Sequence, residues 1–147
     1  MATIQLPPDY KEFLKLLNSH EVEYLLIGGY AVNYYGYARG RAGMDLWIGT
    51  DPSNAAKVAS VLREFGLAQA TADLFAEPGR VVRMGVPPLR LEVLTSVSGL
   101  EFPTAFRNRV VAEIDGVPVN LVSLSDLKTN KKACGRHKDL ADLEQLD

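Results

Sequence analysis

Two apolar segments within the first fifty residues are associated with side chains and glycines that could bind a phosphate-bearing ligand and a divalent cation. The first, residues 25–27, is followed by Gly28 and Gly29 and then by a helical pattern. Glycine has no Cβ, so backbone amides at such a helix start can approach phosphate oxygens closely. The second segment, residues 44–48, carries one carboxylate, Asp45. Mg²⁺ is bound by carboxylate oxygens together with substrate phosphates, so the pattern indicates such a site between two strands.

Further charged residues could complete the site. Glu92 lies in the alternating segment 89–94, and basic and acidic residues recur near the C-terminus, where Lys131, Lys138 and Asp139 stand. Each of these residues also has an explanation that involves no function. Glu92 could belong to a solvated strand face, and the three C-terminal residues could be surface charges of helices. A Lys138–Asp142 pair at i,i+4 would contribute only about 0.2–0.5 kcal/mol.

Composition excludes several classes of function. The chain of 147 residues has a net charge of −2, which predicts no extended nucleic-acid surface. A single cysteine, Cys134, excludes an internal disulfide and a multi-cysteine zinc site. No apolar run reaches the roughly 20 residues needed to cross a bilayer, and the N-terminus shows no signal-peptide pattern. We therefore expect a single cytoplasmic domain, spanning residues 1–147, without membrane contact.

The periodicity predicts an alternation of helices and strands. Asp51 before Pro52 is a typical helix start, Asp115–Gly116 is a typical hairpin turn, and Ser123 is a typical N-cap. Helices are predicted at residues 8–19, 30–37, 53–65, 102–109, 124–134 and 137–146, and strands at 23–27, 44–49, 80–85, 89–94, 110–114 and 117–121. This order predicts an α+β (α/β-like) fold with a mixed sheet flanked by helices.

With these pieces in order, the chain resembles the minimal nucleotidyltransferases of the polymerase-beta-like superfamily. The nearest similarity is to the bacterial group that includes abortive-infection and toxin–antitoxin nucleotidyltransferases. Four segments carry it, in the family's order: Gly-Gly-Tyr-Ala at 28–31, Met-Asp-Leu-Trp-Ile at 44–48, Arg-Leu-Glu-Val-Leu-Thr-Ser at 90–96, and the lysine- and aspartate-containing run at 131–142. The resemblance implies the nucleotidyltransferase fold. It also implies catalysis of nucleotide transfer with two Mg²⁺ ions, as is usual for this chemistry.

The resemblance also implies roles for individual residues. Asp45 matches the second aspartate of the family's metal-binding pair, and Glu92 stands where the family has its third. Both would be catalytic and metal-binding. Gly43 stands where the first aspartate belongs, which removes one set of ligands. The residues that would bind nucleotide are Gly28, Gly29, Arg41, Lys131, Lys138 and Asp139.

The expected function is transfer of a nucleoside monophosphate from a triphosphate to a protein or nucleic-acid hydroxyl. Since Gly43 supplies no carboxylate, we expect Mg²⁺ binding to be weak or absent and transfer to be strongly reduced. The alternative is a catalytically inactive nucleotide- or partner-binding module of antitoxin type, which would act with a toxin-like protein partner. Restoring the carboxylate by Gly43→Asp is predicted to raise transfer if only that ligand limits the rate.

Overall fold

The computed structural model describes residues 4–36, 43–85 and 89–146. Helices in these ranges pack on a six-stranded sheet. The helices are α1 (Pro8–Ser19), α2 (Gly28–Tyr34), α3 (Pro52–Phe65), α4 (Phe102–Arg107), α5 (Leu124–Cys134) and α6 (His137–Gln145), with one 3₁₀ turn at Ala72–Phe75. The strands are β1 (Tyr24–Ile27), β2 (Gly43–Ile48), β3 (Val81–Met84), β4 (Arg90–Leu94), β5 (Val110–Ile114) and β6 (Val117–Leu121).

The sheet has the order β3-β4-β2-β1-β6-β5 and mixes both kinds of strand pairing. The β1–β2, β3–β4 and β5–β6 pairs are antiparallel, whereas β1–β6 and β2–β4 are parallel. Asp45 and Glu92 lie on the neighbouring strands β2 and β4, and the diglycine directly follows β1. The predicted α+β class with a mixed sheet is therefore confirmed.

Local sequence signals explain where the elements begin and end. The Asp51 carboxylate accepts a hydrogen bond from the Asn54 amide at 3.1 Å, and the Ser123 hydroxyl accepts one from the Asp126 amide at 3.1 Å. Gly135 ends α5 in the left-handed region, at φ 67°, which glycine adopts without steric cost. These caps bear out the predicted helix starts and the predicted end of α5.

The helix after the diglycine differs from its prediction. It begins at Gly28 rather than Tyr30, because the two glycines form its first turn, and it ends at Tyr34. Within this helix Tyr30 is buried, whereas Tyr34 is 37% exposed. The predicted end of the helix, Tyr37, lies outside the described residues. No helix in the described ranges is both long enough and apolar enough to cross a bilayer.

Candidate functional site

One cavity of about 470 Å³ collects segments that lie far apart in the sequence. Its wall comes from the end of β1, the start of α2, the strands β2 and β4, the segment after β4, the end of α5 and the start of α6. The lining residues are Ile27, Gly28, Gly29, Asp45, Glu92, Leu94, Ser96, Val97, Ser98, Asn130, Lys131, Cys134, Arg136 and Lys138. The structure thus brings six of the predicted site residues to one place: Gly28, Gly29, Asp45, Glu92, Lys131 and Lys138.

The two carboxylates of the cavity stand side by side. Asp45 on β2 is the register partner of Glu92 on the parallel strand β4, and of Ile27 on β1. Burial raises the pKa of Asp45, and the negative charge of Glu92 raises it further, while Lys138, Lys131 and Arg90 oppose this rise. Two acids and several cations therefore share one electrostatic environment.

The diglycine turn makes room for Asp45. Gly28 has φ +70°, and a Cβ on it would collide with the Asp45 carboxylate oxygen. Glycine is thus required at position 28 both by backbone conformation and by the approach of that side chain. Sequence reasoning gave a different purpose, the close approach of phosphate, and that role for Gly28 and Gly29 stays a prediction.

Lys131 is held by two buried carboxylates from α6. Its Nζ lies 3.2 Å from Asp139 Oδ1 and 3.2 Å from Asp142 Oδ2, and both aspartate side chains are fully buried. Arg136 Nε donates to Asp139 Oδ2 at 2.6 Å. Burial alone would raise the pKa of Asp139, but the hydrogen bonds from Arg136 and Lys131 hold it below its usual value. Asp139 therefore lies behind Lys131 and positions its ammonium group at the cavity wall.

Glu92 is paired with two arginines that the sequence analysis did not assign. Arg83 Nε on β3 lies 3.2 Å from Glu92 Oε2, and Arg90 Nη2 on β4 itself lies 3.3 Å from Glu92 Oε1. Arg90 shares a strand face with Glu92 because it stands two residues before it, and this spacing was a usable signal. The contact with Arg83 depends on the β3–β4 register, in which Arg83 is opposite Glu92.

Gly43 is closely packed as well as lacking a carboxylate. It is the register partner of Arg90, and a Cβ on it would lie 2.7 Å from the Arg90 carbonyl oxygen. That carbonyl also accepts a hydrogen bond from the Tyr10 hydroxyl at 3.0 Å. Any side chain at position 43 must therefore displace backbone, so Gly43→Asp does not simply restore a missing ligand. Arg41, also predicted to bind nucleotide, lies outside the described residues.

Asn130 joins the segment after β4 to α5 at the cavity wall. Its Nδ2 donates to the Ser98 carbonyl at 2.9 Å, and a Cβ on the neighbouring Gly99 would lie 2.7 Å from the Ala133 Cβ. This close packing holds the backbone of residues 96–98 against α5. Sequence reasoning missed these residues because nothing in their spacing pairs them.

Comparison with solved structures identifies the fold of the chain. A candidate nucleotidyltransferase from Thermotoga maritima superposes with a TM-score of 0.62 and 14% identity, covering 95% of this chain and 93% of the other. The chain has the nucleotidyltransferase fold. An antigenic nucleotidyltransferase-like protein from Paracoccidioides brasiliensis gives a TM-score of 0.56 and 16% identity, covering 92% of this chain and 72% of that protein.

A third structure with this fold is ANT(2″)-Ia in complex with adenylyl-2″-tobramycin, with a TM-score of 0.54 and 14% identity, covering 91% of this chain and 83% of that protein. Comparison with protein-family models found no match, and comparison with curated proteins found none either. At these identities the likeness establishes the fold, and the chemistry has to be argued from the site.

Proposed function

We propose that this protein is a nucleotidyltransferase that binds a nucleoside triphosphate in the cavity and transfers its nucleoside monophosphate to a hydroxyl group. The observation that carries the proposal is the register pair of Asp45 and Glu92, which stands in one cavity with the diglycine turn, Lys131 and Lys138. The similar ANT(2″)-Ia is complexed with an adenylyl derivative of tobramycin, which supports this class of reaction.

Each group has a task that follows from its chemistry. The Lys131 ammonium, held in place by Asp139 and Asp142, and the exposed ammonium of Lys138 would neutralise phosphate oxygens. Backbone amides at Gly28 and Gly29 would donate to the phosphates. A ligand in this cavity lies beside the Asp45 carboxylate, whose burial favours pairing with a cation brought by the ligand.

The donor set fits one Mg²⁺. Asp45 and Glu92 supply the hard oxygen ligands with which Mg²⁺ is bound next to substrate phosphates. When bound, such an ion would polarise the phosphate that is attacked. A two-metal site needs more carboxylate oxygens than these. Within the described residues, no group of three or more His, Cys, Asp or Glu side chains could hold a metal, and each Glu92 oxygen already faces a guanidinium group.

The second candidate function is a nucleotide-binding module without transfer activity. A specific observation favours it: Glu92 is ion-paired with Arg83 and Arg90, and the neighbouring Gly43 supplies no carboxylate. On the resemblance noted above, either function would operate in the cytoplasm in a setting of the abortive-infection or toxin–antitoxin type. Its acceptor would be a hydroxyl of a protein or nucleic acid, and a toxin-like protein would be the partner.

Calorimetric titration with ATP, CTP, GTP and UTP, each with Mg²⁺ and with EDTA, tests the shared part of both candidates. We expect saturable binding of at least one triphosphate, weakened by Lys138→Ala and unchanged by Lys132→Ala. Lys132 is the matched control because it is exposed and lies outside the cavity wall. Absence of binding by all four triphosphates would refute both candidates.

Incubation with α-³²P-labelled triphosphate and a candidate acceptor then separates them. Transfer of label that is lost in Asp45→Asn supports the enzyme. Binding without transfer to any acceptor tested, including cell RNA and a co-encoded protein, supports the binding module.

A further inference from the structure

The charges around the cavity favour an anionic ligand over bare cations. Its lining carries the carboxylates Asp45 and Glu92 against the cations Lys131, Arg136 and Lys138. The side chains ion-paired to these residues add Arg83 and Arg90 on one side, and Asp139 and Asp142 on the other. Within the part of the chain that the structure describes, this cluster therefore has more positive than negative groups before any ligand enters.

Arg90 lies just outside the cavity wall, against the Glu92 side chain that forms part of that wall. Its guanidinium lies 3.3 Å from the carboxylate of Glu92, which lines the cavity and is the register partner of Asp45. The side chain is 39% exposed, so it is free to reorient. On β2 its register partner is Gly43, where a Cβ would lie 3.8 Å from the Cβ of Arg90. Because Gly43 has no carboxylate, β2 supplies Arg90 with no counter-charge at this register position.

A guanidinium group and a divalent cation compete for the same partner. Mg²⁺ needs carboxylate oxygens that are not already neutralised, whereas arginine binds phosphate oxygens directly, with two parallel N–H donors. On the basis of the proposed function, we infer that Arg90 supplies a counter-charge for the polyphosphate of the ligand. The site then binds the polyphosphate with at most one divalent cation, and it retains affinity for the polyphosphate when no divalent cation is present.

Titration calorimetry with ATP and with inorganic tripolyphosphate, each in Mg²⁺ and in EDTA, tests this inference. We expect the wild-type protein to bind in EDTA, and Arg90→Ala to lose about ten- to a hundredfold of that affinity, the range for a charge-assisted hydrogen bond. Arg90→Lys keeps the charge without the paired donors and should lose less.

The matched control is Arg80→Ala. Arg80 is an exposed arginine that pairs with Glu77, and it lies outside both the cavity wall and the charged cluster. We therefore expect this variant to bind like the wild type. Circular dichroism and urea unfolding check that all three variants fold. If Arg90→Ala does not fold, the inference is tested by Arg90→Lys and by the number of bound metal ions, which is measured as follows.

Electron paramagnetic resonance with Mn²⁺ and a non-hydrolysable ATP analogue counts the metal ions in the complex, independently of activity. One Mn²⁺ per bound nucleotide supports the inference, and two overturn it. Equal losses in Arg80→Ala and Arg90→Ala, or binding that vanishes in EDTA, also overturn it while leaving nucleotide binding intact. Binding of tripolyphosphate but of no nucleotide would instead refute the proposed function, and binding of neither would refute both.

Discussion

Replacing Lys131 with methionine should destabilise the fold strongly. Methionine has a similar length but no charge, so the substitution leaves the buried Asp139 and Asp142 without the ammonium group that lies 3.2 Å from each. Breaking a buried ion pair typically costs about 3–5 kcal/mol. Arg136 still hydrogen-bonds Asp139, so we expect the lower end of that range, about 3 kcal/mol.

The assay is urea unfolding at pH 7, followed by far-ultraviolet circular dichroism. With an m-value of about 2 kcal/mol/M, typical of small proteins, the midpoint should fall by about 1.5 M at an unchanged slope. Lys132→Met is the matched control, since Lys132 is the adjacent residue of the same helix but is exposed, and it should change the free energy of unfolding by no more than about 0.5 kcal/mol.

A double variant tests the cause of this loss. Adding Asp142→Asn to Lys131→Met removes one of the two negative charges that pair with Lys131 in the wild type, and it should recover part of the lost stability. If Lys131→Met were as stable as Lys132→Met, the network between α5 and α6 would not hold the lysine, and the account of how Lys131 is positioned would be wrong.

Two further predictions concern β2. Gly43→Ala should lower the free energy of unfolding by roughly 1–3 kcal/mol, the usual cost of overpacking, because its Cβ would lie 2.7 Å from the Arg90 carbonyl oxygen; an unchanged urea midpoint would refute this. Asp45→Asn should stabilise the protein at pH 7, since burial and Glu92 raise the folded-state pKa of Asp45. Between the unfolded pKa of about 3.9 and the raised folded value, the folded state binds more protons, so wild-type stability falls as pH rises. The advantage of Asp45→Asn should therefore vanish at pH values below that unfolded pKa, and unfolding curves measured against pH would show a constant advantage if the reasoning were wrong.

Much of the fold could be predicted because its signals are local. The caps at Asp51 and Ser123, the hairpin turn at Asp115 and Gly116, and the glycine at 135 each act within a few residues. The start of α2 was misplaced because its first turn consists of glycines. These are poor helix formers, and here tertiary packing, the contact of Gly28 with Asp45, overrides propensity.

The site could be predicted only in its outline. The family resemblance identified Asp45 and Glu92 as site residues and implied that they meet. The β2–β4 register pairs residues 47 positions apart, Gly43 with Arg90 and Asp45 with Glu92, and no local pattern encodes it. For the same reason the ion pairs of Glu92 with arginine, and the burial of Asp139 behind Lys131, emerged only from the packed structure.

The central claim is that the cavity between β1, β2 and α5 is where a nucleotide binds. The most direct measurement is a titration of ¹⁵N-labelled protein with a non-hydrolysable ATP analogue, followed by two-dimensional NMR. The account predicts saturable shifts of the amide signals of Gly28, Gly29 and Ser98, which line the cavity. Shifts confined to the distant edge strand β5, or no shifts at millimolar analogue, would contradict it.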